Sequence, residues 1–263
     1  MFKVSEPSSL LHCLKAKTQL SGRVIKEALS KGGCLVNGQL ETFSTRKLVR
    51  GDLVSFTLPQ PEEKKELSII YQDRFFTCFN KPEGMLSEAI SGFHLLHRLD
   101  KGTSGLLLMT KDLKIKKTFE ELFKKREIEK TYIAWVKGIP SKKEGRIESL
   151  VAEKGAFSGQ TIYGSAGEGV RALTHWKLLK IQRECSLIEL HPETGRTHQL
   201  RVHMAEMGHP ILGDLQYGRE EGADILEKRL FLHAYQLEFK HPHSGKKVKL
   251  IAPIPNAFKT LAR

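Results

Sequence analysis

His97-Arg98-Leu99-Asp100-Lys101-Gly102-Thr103-Ser104-Gly105 runs straight into the apolar segment Leu106-Leu107-Leu108-Met109. A carboxylate stands between two cations, small and hydroxylated residues follow, and the leucines have the character of a buried strand. That order puts Asp100 on a loop anchored by core. Taken alone, an aspartate in a Lys/Gly/Thr/Ser context is an ordinary turn residue whose side chain binds its own backbone. The rest of the chain decides between a turn and a chemical role.

Composition narrows the classes. With 263 residues, 40% hydrophobic and 28% charged, the chain is long enough for one large domain or a large and a small one, and has the make-up of a globular protein. The formal net charge of +13 favours a polyanionic partner over a small neutral ligand. No segment approaches the ~18 apolar residues of a membrane span. Met1-Phe2-Lys3-Val4-Ser5-Glu6 lacks the apolar core of a signal peptide, so a cytoplasmic protein with no membrane partner is expected. Cys13, Cys34, Cys78 and Cys185 are far apart and read as reduced, mostly buried thiols. His198 and His203 fall about 140° apart on a helix, and His241-Pro242-His243 lies in a turn, so no metal site is expected.

Residues 1–57 read as a small separate unit. Leu10, Leu11 and Leu14 form a helical stripe, and Ser21 is placed to cap a second helix over Gly22–Ser30. There Val24, Ile25, Ala28 and Leu29 fill one face while Arg23 and Lys26 share the other. Cys34-Leu35-Val36, Asn37-Gly38 and Gln39-Leu40-Glu41 make a hairpin signal, and Arg50-Gly51-Asp52 turns the chain into Leu53-Val54-Ser55-Phe56. Two helices with a basic face followed by this hairpin resemble the S4 RNA-binding domain. The resemblance implies that Arg23, Lys26 and Lys31 meet RNA phosphates, contacts that are electrostatic and blind to sequence. Residues 58–67, with Pro59, Pro61 and Glu62-Glu63-Lys64-Lys65-Glu66, form a polar linker.

Residues 68–263 make the larger unit. Ser68–Tyr71 and Phe75–Asn80 read as a hairpin, and Ile115, Phe119, Leu122 and Phe123 fall at helical spacing. Lys130–Gly138 is a strand that puts Tyr132, Ala134 and Val136 on one face. Residues 145–170 are glycine-rich and weakly patterned. Within them Gly167-Glu168-Gly169-Val170-Arg171-Ala172 nominally matches a dinucleotide fingerprint, but the strand-like Leu173–Leu179 follows where a helix is required. Cys185–Leu190 is another strand. Thr197 is placed to cap a helix ending at Gly208, with Leu200, Met204 and Met207 as its buried stripe. Arg196 and Arg201 crowd that helix start, where the dipole is already positive, and call for anionic company. Two more strands occupy Arg229–Phe239 and the stretch before Leu250. Adjacent hairpins with helices between them predict an α+β fold built on a mixed, largely antiparallel sheet.

Three motifs now stand in order: His97-Arg98-Leu99-Asp100 with Thr103-Ser104-Gly105, then Lys130-x-Tyr132-x-Ala134-x-Val136-x-Gly138, then Gly195-Arg196-Thr197-His198-Gln199-Leu200-Arg201-Val202-His203. Together they resemble the RluA family of RNA pseudouridine synthases, from Asn80-Lys81-Pro82 to Ala252-Pro253-Ile254-Pro255. The resemblance implies the pseudouridine synthase fold and isomerisation of uridine in structured RNA. It implies large-subunit rRNA as the main candidate and tRNA as the other, with no cofactor or metal and a monomer. It maps the catalytic aspartate onto Asp100, the active-site tyrosine onto Tyr132 and the basic partner of the aspartate onto Arg201. The arginine that fills the gap left by the extruded uridine maps onto Arg98. Lys101 and Arg196 are RNA-contact candidates beside it. An aspartate with such a role has to be ionised, and an adjacent arginine favours the charged form.

Two departures concern substrate choice rather than chemistry. The interval between Lys81-Pro82 and His97 is a short fourteen residues, 83–96, and Val170-Arg171-Ala172-Leu173-Thr174 replaces a Gly- or Lys-containing lead. The rival reading is a non-catalytic RNA-binding or ribosome-assembly protein, which loss of Asp100, Tyr132 or Arg201 would have favoured.

Overall fold

The computed structural model describes residues 1–30, 32–58, 67–157, 160–218 and 229–261. The chain separates into two compact units, Met1–Lys65 and Glu66–Arg263. Most of the segment expected as a linker, and Lys31, lie outside the described residues.

The smaller unit consists of β1 (Phe2–Lys3), β2 (Ser8–Ser9), α1 (Leu10–Thr18), α2 (Gly22–Ser30), β3 (Cys34–Val36), β4 (Gln39–Leu40), β5 (Lys47–Leu48) and β6 (Leu53–Phe56). Ser9 caps α1 by accepting from the His12 amide, and Ser21 Oγ accepts from Val24 N at the head of α2. Leu10, Leu14, Ile25 and Leu29 meet Val36, Leu48 and Val54 in one core. Val24, expected on the buried face, is instead 38% exposed: α2 buries Ile25, Ala28 and Leu29, a stripe at i, i+3 and i+4, and Val24 falls at its edge. The turn at Asn37-Gly38 forms as expected, with both residues at positive φ and the Asn37 side chain bonded to Asp52 and to the Leu53 amide.

The larger unit runs β7 (Ser68–Gln72), β8 (Thr77–Lys81), β9 (His94–Leu95), β10 (Ser104–Thr110), α3 (Leu113–Lys124), β11 (Glu129–Lys137), β12 (Glu144–Phe157), β13 (Gln160–Ser165), β14 (Val170–Gln182), β15 (Cys185–Pro192), α4 (Gln199–Glu206), β16 (Leu232–Lys240), β17 (Lys247–Ile251) and α5 (Asn256–Leu261). Among the described residues its strands form one eleven-stranded sheet in the order β13-β12-β14-β15-β11-β16-β10-β8-β7, with β17 on β16 and β9 on β10. Every pairing is antiparallel except that of β10 with β16, which gives the mixed, largely antiparallel sheet of an α+β fold. β10 is buried along its whole length, Leu106 and Leu108 packing with Phe76 and Phe119 on one side, Leu107 and Met109 with Phe79 and Leu99 on the other. Trp135 is fully buried and donates from its indole to the Phe258 carbonyl, tying α5 to the sheet, while Trp176 lies over Gly145, where a side chain would collide with the ring.

Two expectations need correction. Residues 145–170, weakly patterned in sequence, are regular in the fold: they supply most of β12 and all of β13, which pair as an antiparallel hairpin. Burial alternates along β12, but its half-buried face carries Gly145, Ile147 and Ser149 before the buried Val151, so little apolar alternation shows in the sequence, and glycines such as Gly155 at φ 141° hide the pattern further. Thr197 does not cap α4; the cap position is His198, at a left-handed φ of 56°. The residue that sets this turn is the buried Gln199, which accepts from Thr194 Oγ1 and Arg196 N and donates to Leu173 O and Thr174 Oγ1.

The parallel contact constrains the loop that leads into it. Gly105 has φ 110°, and a Cβ there would run into the Ala234 carbonyl of β16. Gly105→Ala is expected to destabilise the larger unit by about 2–5 kcal/mol, from left-handed strain plus overpacking, read as a lowered midpoint in denaturant unfolding.

Candidate active site

Asp100 sits on the loop between β9 and β10, in a turn closed by Thr103 N donating to its carbonyl at 3.0 Å. Side chains hold this loop from both directions. Before it, Ser87 Oγ bonds both the amide and the carbonyl of Leu99, at 3.1 and 2.9 Å. After it, the ammonium of Lys81, fully buried at the end of β8, donates to the carbonyls of Pro82, Met85 and Lys101. Burial draws Lys81 down to about 8, against the pull of Asp100, Glu83 and Glu88. His97 is pushed to about 4 by burial and then by Lys130; as a neutral ring it accepts the Leu108 amide at 3.0 Å.

Arg201, on α4, is the cation that faces this loop. Its Nη1 lies 3.4 Å from Asp100 Oδ2. Its short bonds go elsewhere: Nε to Asp214 Oδ2 at 2.7 Å, Nη2 to Asp214 Oδ1 at 2.8 Å and to Gln216 Oε1 at 3.0 Å. The guanidinium also stacks over the Tyr217 ring at 4.9 Å. Burial lowers the Arg201 pKa, but the bonds and charge of Asp214 outweigh it, and the group stays above its ordinary value. Asp214 is the anion that the crowded helix start called for, and nothing in the linear pattern marked it: it follows Gly213 in a turn that comes together with Arg201 only in the fold.

His198 closes the group. Its Nε2 is 3.9 Å from Asp100 Oδ2 and its Nδ1 is 2.9 Å from the Tyr217 hydroxyl. That hydroxyl accepts the Tyr163 amide of β13 at 3.0 Å, so its own proton is free for Nδ1, which leaves an N–H on Nε2 towards Asp100. Burial and then Arg201 push His198 below its ordinary value and favour the neutral ring.

Tyr132 enters the same cleft from β11, just after a register shift between Thr131 and Tyr132. Burial first and Asp100 second push its hydroxyl pKa upward, so it is a neutral phenol. Its hydroxyl has no hydrogen-bond partner among the described residues. One cleft is lined by Asp100, Tyr132, Arg201, Arg98, Arg196, His198 and Lys130, among others. Of the residues singled out in the sequence, Asp100, Tyr132, Arg201, Arg98 and Arg196 thus meet here. Lys101 is exposed outside the lining and contributes its carbonyl to Lys81 and to the Gly84 amide. Arg23 and Lys26 are exposed on α2 of the other unit. Sequence reasoning missed Asp214 and gave no role to Lys81 or Lys130. Among the described residues no group of three or more His, Cys, Asp or Glu is placed to hold a metal ion.

The model of the family described as "RNA pseudouridylate synthase" matches residues 81–206. A ribosomal large subunit pseudouridine synthase D of Zymomonas mobilis is 32% identical over 284 aligned positions, covering 93% of this chain and 89% of that one. The protein of the same name from Vibrio cholerae is 29% identical, covering 91% and 85%. Among solved structures, human RNA Pseudouridylate Synthase Domain Containing 1 superposes with a TM-score of 0.65 at 29% identity, over 75% of this chain and 87% of that one.

Asp214 is 1% exposed at its side chain and takes the two short bonds of Arg201, whose other carboxylate contact among the described residues is the longer one to Asp100 at 3.4 Å. Asp214→Asn is expected to cost about 3 kcal/mol by leaving a buried cation with only its longer contact to Asp100. Arg201→Met added to that variant should cost little more, in a denaturant-unfolding double-mutant cycle.

Proposed function

The chain belongs to the RNA pseudouridine synthase family, and from that premise we propose that it isomerises uridines of large-subunit ribosomal RNA, with Asp100, Tyr132 and Arg201 as its catalytic group. The ribosomal target is supported by the names of relatives that span nearly the whole chain. The observation that carries the catalytic reading is the 3.4 Å approach of Arg201 to Asp100 at the base of a cleft walled by Tyr132.

In the reaction the bond from the ribose C1′ to N1 of uracil breaks, the base turns, and a bond from C1′ to C5 forms. One proton leaves C5 and one is taken up at N1, so the conversion balances as an isomerisation. Asp100 supplies the carboxylate, which is partly open to the cleft, and Arg201 supplies the fixed positive charge beside it. A stacked uridine is out of reach and has to be extruded at a cost of a few kcal/mol. The Tyr132 ring offers a stacking face worth about 1–3 kcal/mol per base. Arg98, largely exposed at the rim and held at 2.9 Å by Glu88, is the side chain that moves into the vacated stack. The N-terminal unit serves as an S4-like RNA grip through the exposed cations of α2, and Arg196 adds positive charge at the mouth of the cleft.

Asp100→Asn is expected to abolish pseudouridine formation in unmodified ribosomal transcripts, mapped at nucleotide resolution, while RNA affinity stays nearly unchanged; full activity in that variant would remove Asp100 from the mechanism. Replacing Arg23 and Lys26 together by Gln is expected to lower the slope of log affinity against log salt by about 1–2, since each lost phosphate contact contributes just under one. An unaltered slope would argue against the α2 grip.

A further inference from the structure

We propose that Lys130, with the turn Gly195-Arg196-Thr197, forms a phosphate seat at the edge of the cleft, so that substrate is recognised as a nucleotide, through a phosphodiester flanking the extruded uridine as well as through the base. The proposal rests on the reading of the cleft as a uridine site and assigns it a second recognition point.

Lys130 begins near the start of β11, and its side chain runs inward to line the cleft. Its ammonium carries three donors. One reaches the Thr194 carbonyl at 3.2 Å, and among the described residues neither of the others has a partner and no carboxylate lies at ion-pair distance. Its charged neighbours are of the same sign: burial first, then Arg126 and Arg196, draw Lys130 down to about 8. A half-buried ammonium held among cations is an unbalanced charge, and an anion entering from the cleft would balance it.

The turn opposite is shaped for the same ligand. Gln199 fixes it by accepting the Arg196 amide at 3.0 Å, and Arg196 Nε is held on the Arg171 carbonyl at 3.1 Å, which leaves both terminal nitrogens of the guanidinium without a partner among the described residues. The amides of Gly195 and Thr197 likewise donate to no described group. Gly195 has no side chain to intervene; a Cβ built there would stand 3.8 Å from Lys130 Nζ. α4 starts just beyond, at Gln199, and the N-terminal end of a helix carries partial positive charge. A guanidinium fork, an ammonium and open backbone amides are the donors that phosphate oxygens take. Lys130, Gly195 and Arg196 line the cleft that Asp100 and Tyr132 also line, so the phosphate bound there belongs to the nucleotide whose base enters it.

The test uses the full-length protein and RNA hairpins presenting the mapped uridine, with a neutral methylphosphonate in place of either flanking phosphodiester. For one of the two linkages, wild-type affinity should fall roughly ten- to hundredfold, the range for a charge-assisted hydrogen bond. Lys130→Met should lose a similar factor on the natural hairpin and nothing further on the neutral one, while Lys130→Arg should restore most of the loss. If both neutral linkages weaken wild type and Lys130→Met equally, or leave wild type unchanged, Lys130 holds only the Thr194 carbonyl and the seat is overturned. Conversion of uridine, read on the same hairpins, reports separately: coupling without conversion would sink the isomerase reading, and conversion without coupling would sink the seat alone.

Discussion

A single guanidinium with two carboxylates within reach organises the cleft. Arg201 gives its two short, parallel bonds to Asp214 and only a longer contact to Asp100. Asp214 also accepts the amides of Gln216 and Tyr217, so it is saturated and fixed. The division has a chemical purpose. Had Arg201 clasped Asp100 with both arms, the acceptor capacity of that carboxylate would be consumed before any ligand arrived. Held by Asp214 instead, the cation lends Asp100 a stationary charge and leaves its oxygens facing the cleft, which is preorganisation of an electrostatic environment rather than an ion pair for stability.

The loops that meet at the site have little regular structure of their own, and side chains do the work of a hydrogen-bonded ladder. Lys81 gathers three carbonyls, Ser87 spans both backbone groups of Leu99, and Gln199 makes four bonds around the 194–199 turn. Each satisfies backbone groups that burial would otherwise leave unpaired. The result is a set of irregular segments pinned by side-chain bonds to the elements around them, among which residues 100, 132 and 201 meet.

How much of this was legible in the sequence depended on range. Leu106-Leu107-Leu108-Met109, the Asn37-Gly38 turn and the 3.6-residue spacing of Phe119 and its neighbours are local signals, and the elements they predicted are present. The α+β class and the mixed sheet followed from them. The β12–β13 hairpin was not legible, because the half-buried face of β12 runs Gly145, Ile147, Ser149 and Val151 and so carries little apolar period. Asp214 was not legible because its meaning comes from Arg201, thirteen residues earlier on another element. His198 was passed over for a related reason: the cap of α4 was sought in a threonine hydroxyl, whereas a buried glutamine shapes the turn and leaves His198 in a left-handed conformation facing Asp100. Motif spacing found the residues that touch the cleft; it could not find the ones that hold them.

The chain contains two tryptophans, Trp135 and Trp176, and both lie in the core of the larger unit. Intrinsic indole emission is therefore a private signal of residues 66–263, and the helices and short strands of 1–65 are silent in it. Far-ultraviolet circular dichroism sees both units. The two spectra, recorded on one sample, separate the melting of the catalytic sheet from that of its N-terminal companion without any label or truncation.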